Sequence, residues 1–267
     1  VADQLAISRL LDGSGELARL KQLSTMADRV DSLFSDASTN VAGVWSNFFD
    51  SVSGLSSNAS ATADRQNVLD SANTLANRFR QLNTSLDSLN SEVNNGISAA
   101  ATEINRLAAE VAQINGAIGS NAANAAPDLL DRRDQLIASL VGYTGGNAVM
   151  QDGGIMNVYT AGGNALVVGT TASRLEVQDT PAGTQALTLK FASEVFAVRD
   201  EGLGGQLGGL ADFEYGTLIP LRQSIGDIAS EIATLMNTQL GAGYTLGGAA
   251  GGPLFVYDAS SSTSIGR

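Results

Sequence analysis

Hydrophobic residues in this chain recur at intervals of three and four over most of its length, the spacing that stacks side chains along one face of an α-helix. Leu17, Leu20, Leu23, Ala27, Val30 and Phe34 form the first stripe. It predicts an amphipathic helix that opens after the break Gly13-Ser14-Gly15 and closes in the turn formers from Ser35 to Asn40. A short helix is expected around Val44 to Leu55, with Trp45, Phe48 and Phe49 plugging a gap between helices rather than stacking on a ligand. The longest pattern begins near Ala61 and runs without proline to Ile118. In it Leu75, Phe79, Leu82, Leu86, Leu89, Val93 and Ile97 are followed by Ile104, Leu107, Val111, Ile114 and Ile118, two heptad-like seams on either side of a shift at Asn94-Asn95-Gly96. One glycine weakens a helix by only about 1 kcal/mol. A continuous or gently kinked helix is therefore expected, in preference to a hairpin.

Gly116 to Ala126 reads as a loop. Pro127 and Asp128 then suit the first turn of another helix, where a missing N–H costs nothing and a carboxylate faces the positive end of the helix dipole. Leu129, Leu130, Leu136 and Ile137 are expected inside, and Asp131, Arg132, Arg133 and Asp134 on a solvated face. After Gly142 the period falls to two. Ile155–Thr160, a Gly-rich turn and Ala165–Gly169 read as a hairpin, and Leu175–Val177, Ala186–Phe191 and Val195–Val198 as further strands. Helical spacing returns at Leu218, Leu221, Ile225, Ile228, Ile232 and Leu235, around a Pro220 that either starts a helix or kinks it.

The expected fold is mainly α, α+β overall: an elongated antiparallel helical bundle or coiled-coil-like rod with a small inserted antiparallel β subdomain. Residues 1–142 and 205–240 would form the rod, 143–204 the insert, and 241–267 a Gly/Ser-rich extended segment leading to a further domain. Within the rod, Leu82, Leu86, Leu89 and Val93 are expected to face Leu221, Ile225, Ile228 and Ile232.

Composition narrows the chemistry. The 267 residues include no cysteine and no histidine, which removes thiolate and imidazole ligands, Cys nucleophiles and Ser-His pairs. Fifteen Lys+Arg against 27 Asp+Glu leave a net charge of −12, the wrong sign for nucleic acid or an anionic membrane surface. Asp128, Asp131 and Asp134 follow helical spacing, which cannot wrap a cation; pairing with Arg132 and Arg133 is the expected reading. Gly204-Gly205-Gln206-Leu207-Gly208-Gly209 lacks the Lys-Ser/Thr ending of a phosphate loop. Asp212 and Glu214, the nearest thing to a hydrolytic carboxylate pair, point to different faces of a helix. No catalytic, cofactor-binding or metal-binding residue is expected.

Three segments together resemble the bacterial flagellar hook-associated protein 1 family. Phe48-Phe49-Asp50-Ser51-Val52 followed by Ala61-Thr62-Ala63-Asp64-Arg65-Gln66-Asn67-Val68-Leu69 is similar to the family's Phe-Phe…Arg-Gln-x-Val-Leu opening of a long helix. Pro127-Asp128-Leu129-Leu130-Asp131-Arg132-Arg133-Asp134 resembles its Pro-Asn-Asp-Leu-Leu-Asp-Gln-Arg-Asp helix, with Ala126-Pro127 where the family usually has Pro-Asn. Gly204 to Leu210, the Pro220 helix and Gly251-Gly252-Pro253-Leu254-Phe255 follow in family order. Leu240 stands where members often carry a histidine after Asn237.

The resemblance implies a structural junction component of the flagellum, contacting copies of itself, hook protein and the second junction protein. It also implies an extracellular location reached unfolded through the flagellar type III channel without a cleaved leader. The chain would be a central piece lacking both terminal regions, monomeric in isolation. Flagellin or the second junction protein are the alternatives within that class, and a secreted cell-wall hydrolase using Asp212 and Glu214 is the alternative outside it.

Overall fold

The computed structural model describes residues 2–35, 40–120, 126–198 and 203–256, with side chains from residue 8 onward. Among the described residues, helices α1 (Ala2–Ser35), α2 (Val41–Ser57), α3 (Thr62–Gly119) and α4 (Pro127–Thr144) lead into seven strands, and α5 (Gly205–Phe213) and α6 (Ile219–Gly241) follow them. The chain is mainly helical with an inserted antiparallel β region. Strands β1 (Asn147–Met150), β2 (Met156–Tyr159), β3 (Ala165–Val168) and β4 (Thr171–Ala172) form one sheet in sequence order. Strands β5 (Arg174–Asp179), β6 (Gln185–Phe191) and β7 (Glu194–Val198) form a second. All pairings are antiparallel.

Local chemistry sets the element ends. The Asn40 side-chain oxygen accepts the Ala42 N–H at 2.9 Å and caps α2. Pro127 opens α4, and Gly145 closes it in the left-handed region at φ 64°, its N–H donating to the Val141 carbonyl at 2.7 Å. Pro220 lies in the first turn of α6 after a π-helical stretch from Glu214 to Leu218, so the proline starts a helix and breaks none.

The chain divides into two compact units, one of Val1–Ala27 with Asn90–Gly216, the other of Asp28–Leu89 with Thr217–Arg267. Both sheets lie in the first unit, together with helical segments. In the second unit Phe48, Val68, Ala72, Leu75, Phe79, Ala229 and Ile232 make a buried core, flanked by half-buried Trp45, Ile225, Met236, Leu254 and Phe255. Phe48 is fully buried and stands edge-on to Phe255, with ring centroids 6.0 Å apart. In the first unit the buried set includes Val111, Leu140, Val141, Val158, Leu166, Val167, Leu189, Leu207 and Phe213.

α3 is one uninterrupted helix through Asn94-Asn95-Gly96. Leu75, Phe79, Leu82, Leu86, Leu89, Val93, Ile97, Ile104, Leu107, Val111, Ile114 and Ile118 are all buried. It also extends through Gly116 to Gly119, where a loop was expected; residues 121–125 lie outside the described residues.

Other expectations are corrected. α1 continues through Gly13-Ser14-Gly15; Gly15 sits against the end of α4, where a Cβ would lie 2.9 Å from the Gly145 Cα. Its buried face carries Leu11, Gly15 and Met26, while Leu17, Leu20, Ala27 and Phe34 are exposed and Leu23 and Val30 half-buried. The apolar stripe read from the sequence is thus out of phase with the packed face. The closing turn at 36–39 lies outside the described residues.

Leu218, just before α6, and Ile232 within it are buried and Leu221 and Ile225 half-buried, but Ile228 and Leu235 are 52% and 59% exposed. The packed face instead uses Ala229 and Ala233, whose small side chains let a neighbouring element approach closely. Ile225 and Ile232 pack with Val68, Ala72, Leu75 and Phe79, earlier on α3 than the expected partners. Strands β1 and β4 are additions to those read from the sequence. Residues 241–256 hold a turn closed by the Tyr244–Ala250 bridge, and the rest of the Gly/Ser-rich tail lies outside the described residues.

Candidate functional site: a glycine junction and asparagine clamps

Two polar devices dominate the first unit. The first is the segment Gly204 to Gly209. A Cβ on Gly204 would come within 2.8 Å of the Gly145 Cα, and one on Gly209 would run into the Arg19 carbonyl oxygen. At Gly205, φ is 58° and a Cβ would lie 2.5 Å from the Gly142 carbonyl oxygen. These glycines bring α5 into backbone contact with the end of α4 and with α1; they cradle no phosphate. Beside them, Leu210 packs on Gly96 of α3, where a Cβ would be 3.1 Å from its Cδ1. The glycine in Asn94-Asn95-Gly96 therefore marks a close contact, not a turn.

The second device is a row of asparagines on α3 that hydrogen-bond the backbone of the sheets. Asn115 is fully buried: its Nδ2 donates to the Met156 carbonyl at 2.7 Å and the Gly169 carbonyl at 2.8 Å, and its Oδ1 accepts the Met156 N–H at 3.1 Å. Asn105 holds Leu175 in the same two-way fashion, at 2.8 Å and 2.7 Å. Asn90 and Asn94 both donate to the Gly183 carbonyl in the β5–β6 turn, at 2.9 Å and 3.0 Å. A carboxamide offers both N–H donors and a carbonyl acceptor, as a strand's peptide groups do, so it satisfies backbone that would otherwise be buried unpaired. Asn237 does the same in the second unit, accepting from Leu254 N–H and Phe255 N–H and donating to the Phe255 carbonyl at 2.6 Å. The sequence reading missed these asparagines. The available signal was Asn115 itself, a polar residue in phase with Val111, Ile114 and Ile118 on a helix face otherwise apolar.

The Asp-Leu-Leu-Asp helix behaves differently from expectation at one position. Arg133 is buried: its Nη1 donates to the Gly154 carbonyl at 2.7 Å and its Nη2 to Asp134 at 2.9 Å, tying α4 to the turn between β1 and β2. Its planar fork meets a carbonyl and a carboxylate at once, so it belongs to the interior, not a solvated face. Asp128, Asp131 and Asp134 are exposed, and Leu129, Leu130 and Leu136 half-buried around buried Ile137. Among the described residues no group of three or more carboxylates is placed to hold a metal ion.

Asp212 and Glu214 sit in different surroundings. Asp212 accepts a hydrogen bond from Arg19, and Glu214 is buried. A cavity lined by Thr102, Asn105, Ala109, Ala172, Ser173 and Arg174 contains no carboxylate. On the exposed face of α3, a hydrogen bond from Arg106 holds the Glu103 carboxyl below the ordinary glutamate range, and Glu103 in turn raises Arg106. No described helix is long and apolar enough to cross a membrane.

Residues 27–255 match the family described as flagellar hook-associated protein FlgK helical domain. Flagellar hook-associated protein 1 of Salmonella typhimurium is 32% identical over 250 residues, covering 91% of this chain and 44% of that protein. The Escherichia coli protein of the same name is likewise 32% identical, with 45% of its length covered. The flagellar hook junction protein FlgK of Burkholderia pseudomallei has a similar structure, with a TM-score of 0.85 at 28% identity over 94% of this chain and 47% of that one. The chain thus spans less than half the length of these relatives.

Proposed function

The chain belongs to the flagellar hook-associated protein FlgK family, and from that membership we propose that it serves as the helical domain of a structural, non-enzymatic subunit joining hook to filament. The family match carries this reading, since it reaches from residue 27 to residue 255 and so takes in both sheets and most of both units. The proposed mechanism is mechanical. Burial of the α3 seam, at about 25 cal/mol per Å² of apolar surface, stiffens the helix, and the clamps and the glycine junction fix the sheets and α5 in place. Neighbouring copies, hook protein and the second junction protein are the proposed partners, with no role for nucleic acid, membrane, cofactor or metal. The proposed location is extracellular, reached as an unfolded chain through the flagellar export channel. An acidic chain without cysteine or histidine supports this reading, and the engagement of Asp212 by Arg19 speaks against the hydrolase.

Deleting the gene that encodes this chain tests the proposal. Cells are expected to keep their hooks, carry no filaments and lose motility, with recovery when the full-length protein is supplied. Normal filaments in the deletion strain would overturn it.

A further inference from the structure

We infer that Asn115-Gly116 is a spontaneous modification site, closed in the folded protein and open in the unfolded chain, whose conversion releases the four-stranded sheet from α3. The inference rests on the clamp geometry and is independent of the proposed function.

Asn-Gly is the dipeptide in which a backbone nitrogen most easily attacks the preceding side chain, because glycine has no Cβ to obstruct the approach. The Gly116 nitrogen bonds to the Asn115 Cγ and gives up its proton to base; the Cγ–Nδ2 bond breaks and ammonia leaves. Water then opens the five-membered imide at either carbonyl, giving aspartate or isoaspartate. In the folded chain three constraints oppose this. The helical ψ of about −42° points the Gly116 nitrogen away from Cγ. The residues sit inside the 58-residue α3. All three hydrogen-bonding sites of the Asn115 carboxamide are engaged, and the residue is fully buried.

Conversion would be disruptive. The Nδ2 donor now facing the Met156 and Gly169 carbonyls would become a carboxylate oxygen facing two carbonyl oxygens, a buried charge without its donor. Isoaspartate would also insert a methylene into the helix backbone. Packing does not demand the glycine: a Cβ at Gly116 would meet only the Thr170 Cγ2, at an ordinary 3.6 Å. Gly96 differs, since Leu210 crowds it. The second Asn-Gly pair, Asn95-Gly96, has an exposed asparagine on the same helix and makes no clamp to the four-stranded sheet.

The full-length protein and its Gly116→Ala variant are aged at mildly alkaline pH, folded and in urea, and digested with trypsin. Fragment spectra of Leu107–Arg132 and Gln81–Arg106 then locate the one-unit mass gain at Asn115 and at Asn95. In urea the wild-type chain is expected to convert at both sites and the variant chiefly at Asn95. In the folded protein conversion at Asn115 should be at least about a hundredfold slower, as expected where reaction waits on local opening of a core helix. After refolding, the aged wild type should exchange the amides of Met156–Tyr159 and Ala165–Val168 faster than the aged variant. Equal rates at Asn115 in folded and unfolded protein would overturn the inference. So would identical strand protection in the two aged chains.

Discussion

The two units hold together by different chemistry. The second closes around aromatic and aliphatic side chains, with Phe48 fully buried at the centre of a cluster drawn from α2, α3, α6 and the Leu254-Phe255 stretch, and among the described residues uses a single asparagine clamp, Asn237, to hold that stretch. The first adds to its apolar interior a set of directional contacts: asparagines reading strand backbone, an arginine reading a turn carbonyl, and glycines that let helices touch backbone to backbone. An apolar cluster tolerates some sliding, since its energy depends on area and hardly on direction. A two-way amide clamp does not, because a shift of one residue leaves donors and acceptors opposing their like. Two small sheets with little interior of their own need that kind of registration on α3 at several points; the three-helix core uses it only for the irregular Leu254-Phe255 stretch.

The contrast predicts a graded response. Phe48→Ala should be the most damaging, about 3–5 kcal/mol, from the loss of a buried ring and the cavity left behind. It should appear as a large drop in Tm and in the denaturant midpoint; a drop of only a degree or two would mean that the second unit does not depend on its aromatic core.

Asn115→Ala comes next, at about 1–3 kcal/mol for each backbone group left unsatisfied at Met156 and Gly169. Its signature is local, with amide exchange accelerating in β2 and β3 more than in α2. Uniform acceleration would show that the clamp registers nothing in particular.

Ile228→Glu, by contrast, lies on the exposed flank of α6 and should change stability by no more than about 0.5 kcal/mol in the isolated chain. A cost comparable to that of Phe48→Ala would place Ile228 inside a core.

The smallest effect is electrostatic. Because Arg106 depresses the Glu103 pKa, the pair's contribution is fully present above the unfolded glutamate range and is lost as pH falls through the lowered folded value. Both side chains are substantially exposed, so solvent screening keeps the effect slight. An NMR titration should find the Glu103 carboxyl moved upward in Arg106→Met; an unchanged midpoint would remove the pair from consideration.

What the sequence alone determined is whatever depends on period and on the absence of residue types. The seams of α3 are unambiguous over so many turns that one glycine cannot interrupt them, and β2, β3 and β5 to β7 carry enough alternation to be read. The lack of cysteine and histidine removes thiolate and imidazole groups before any coordinate is known.

Tertiary structure decided phase and partnership. On α1 and α6 several apolar residues fall outside the chosen stripe, and only the neighbours determine that Met26 is buried while Leu17 is exposed, or that Ala229 packs while Ile228 does not. The roles of Gly15, Gly96 and Gly209 exist only when a second backbone arrives. An asparagine is equally at home in water or against a peptide group: the phase of Asn115 with Val111, Ile114 and Ile118 marks it for burial, but only the strand lying across it makes it a clamp, while Asn95 on the same helix stays exposed.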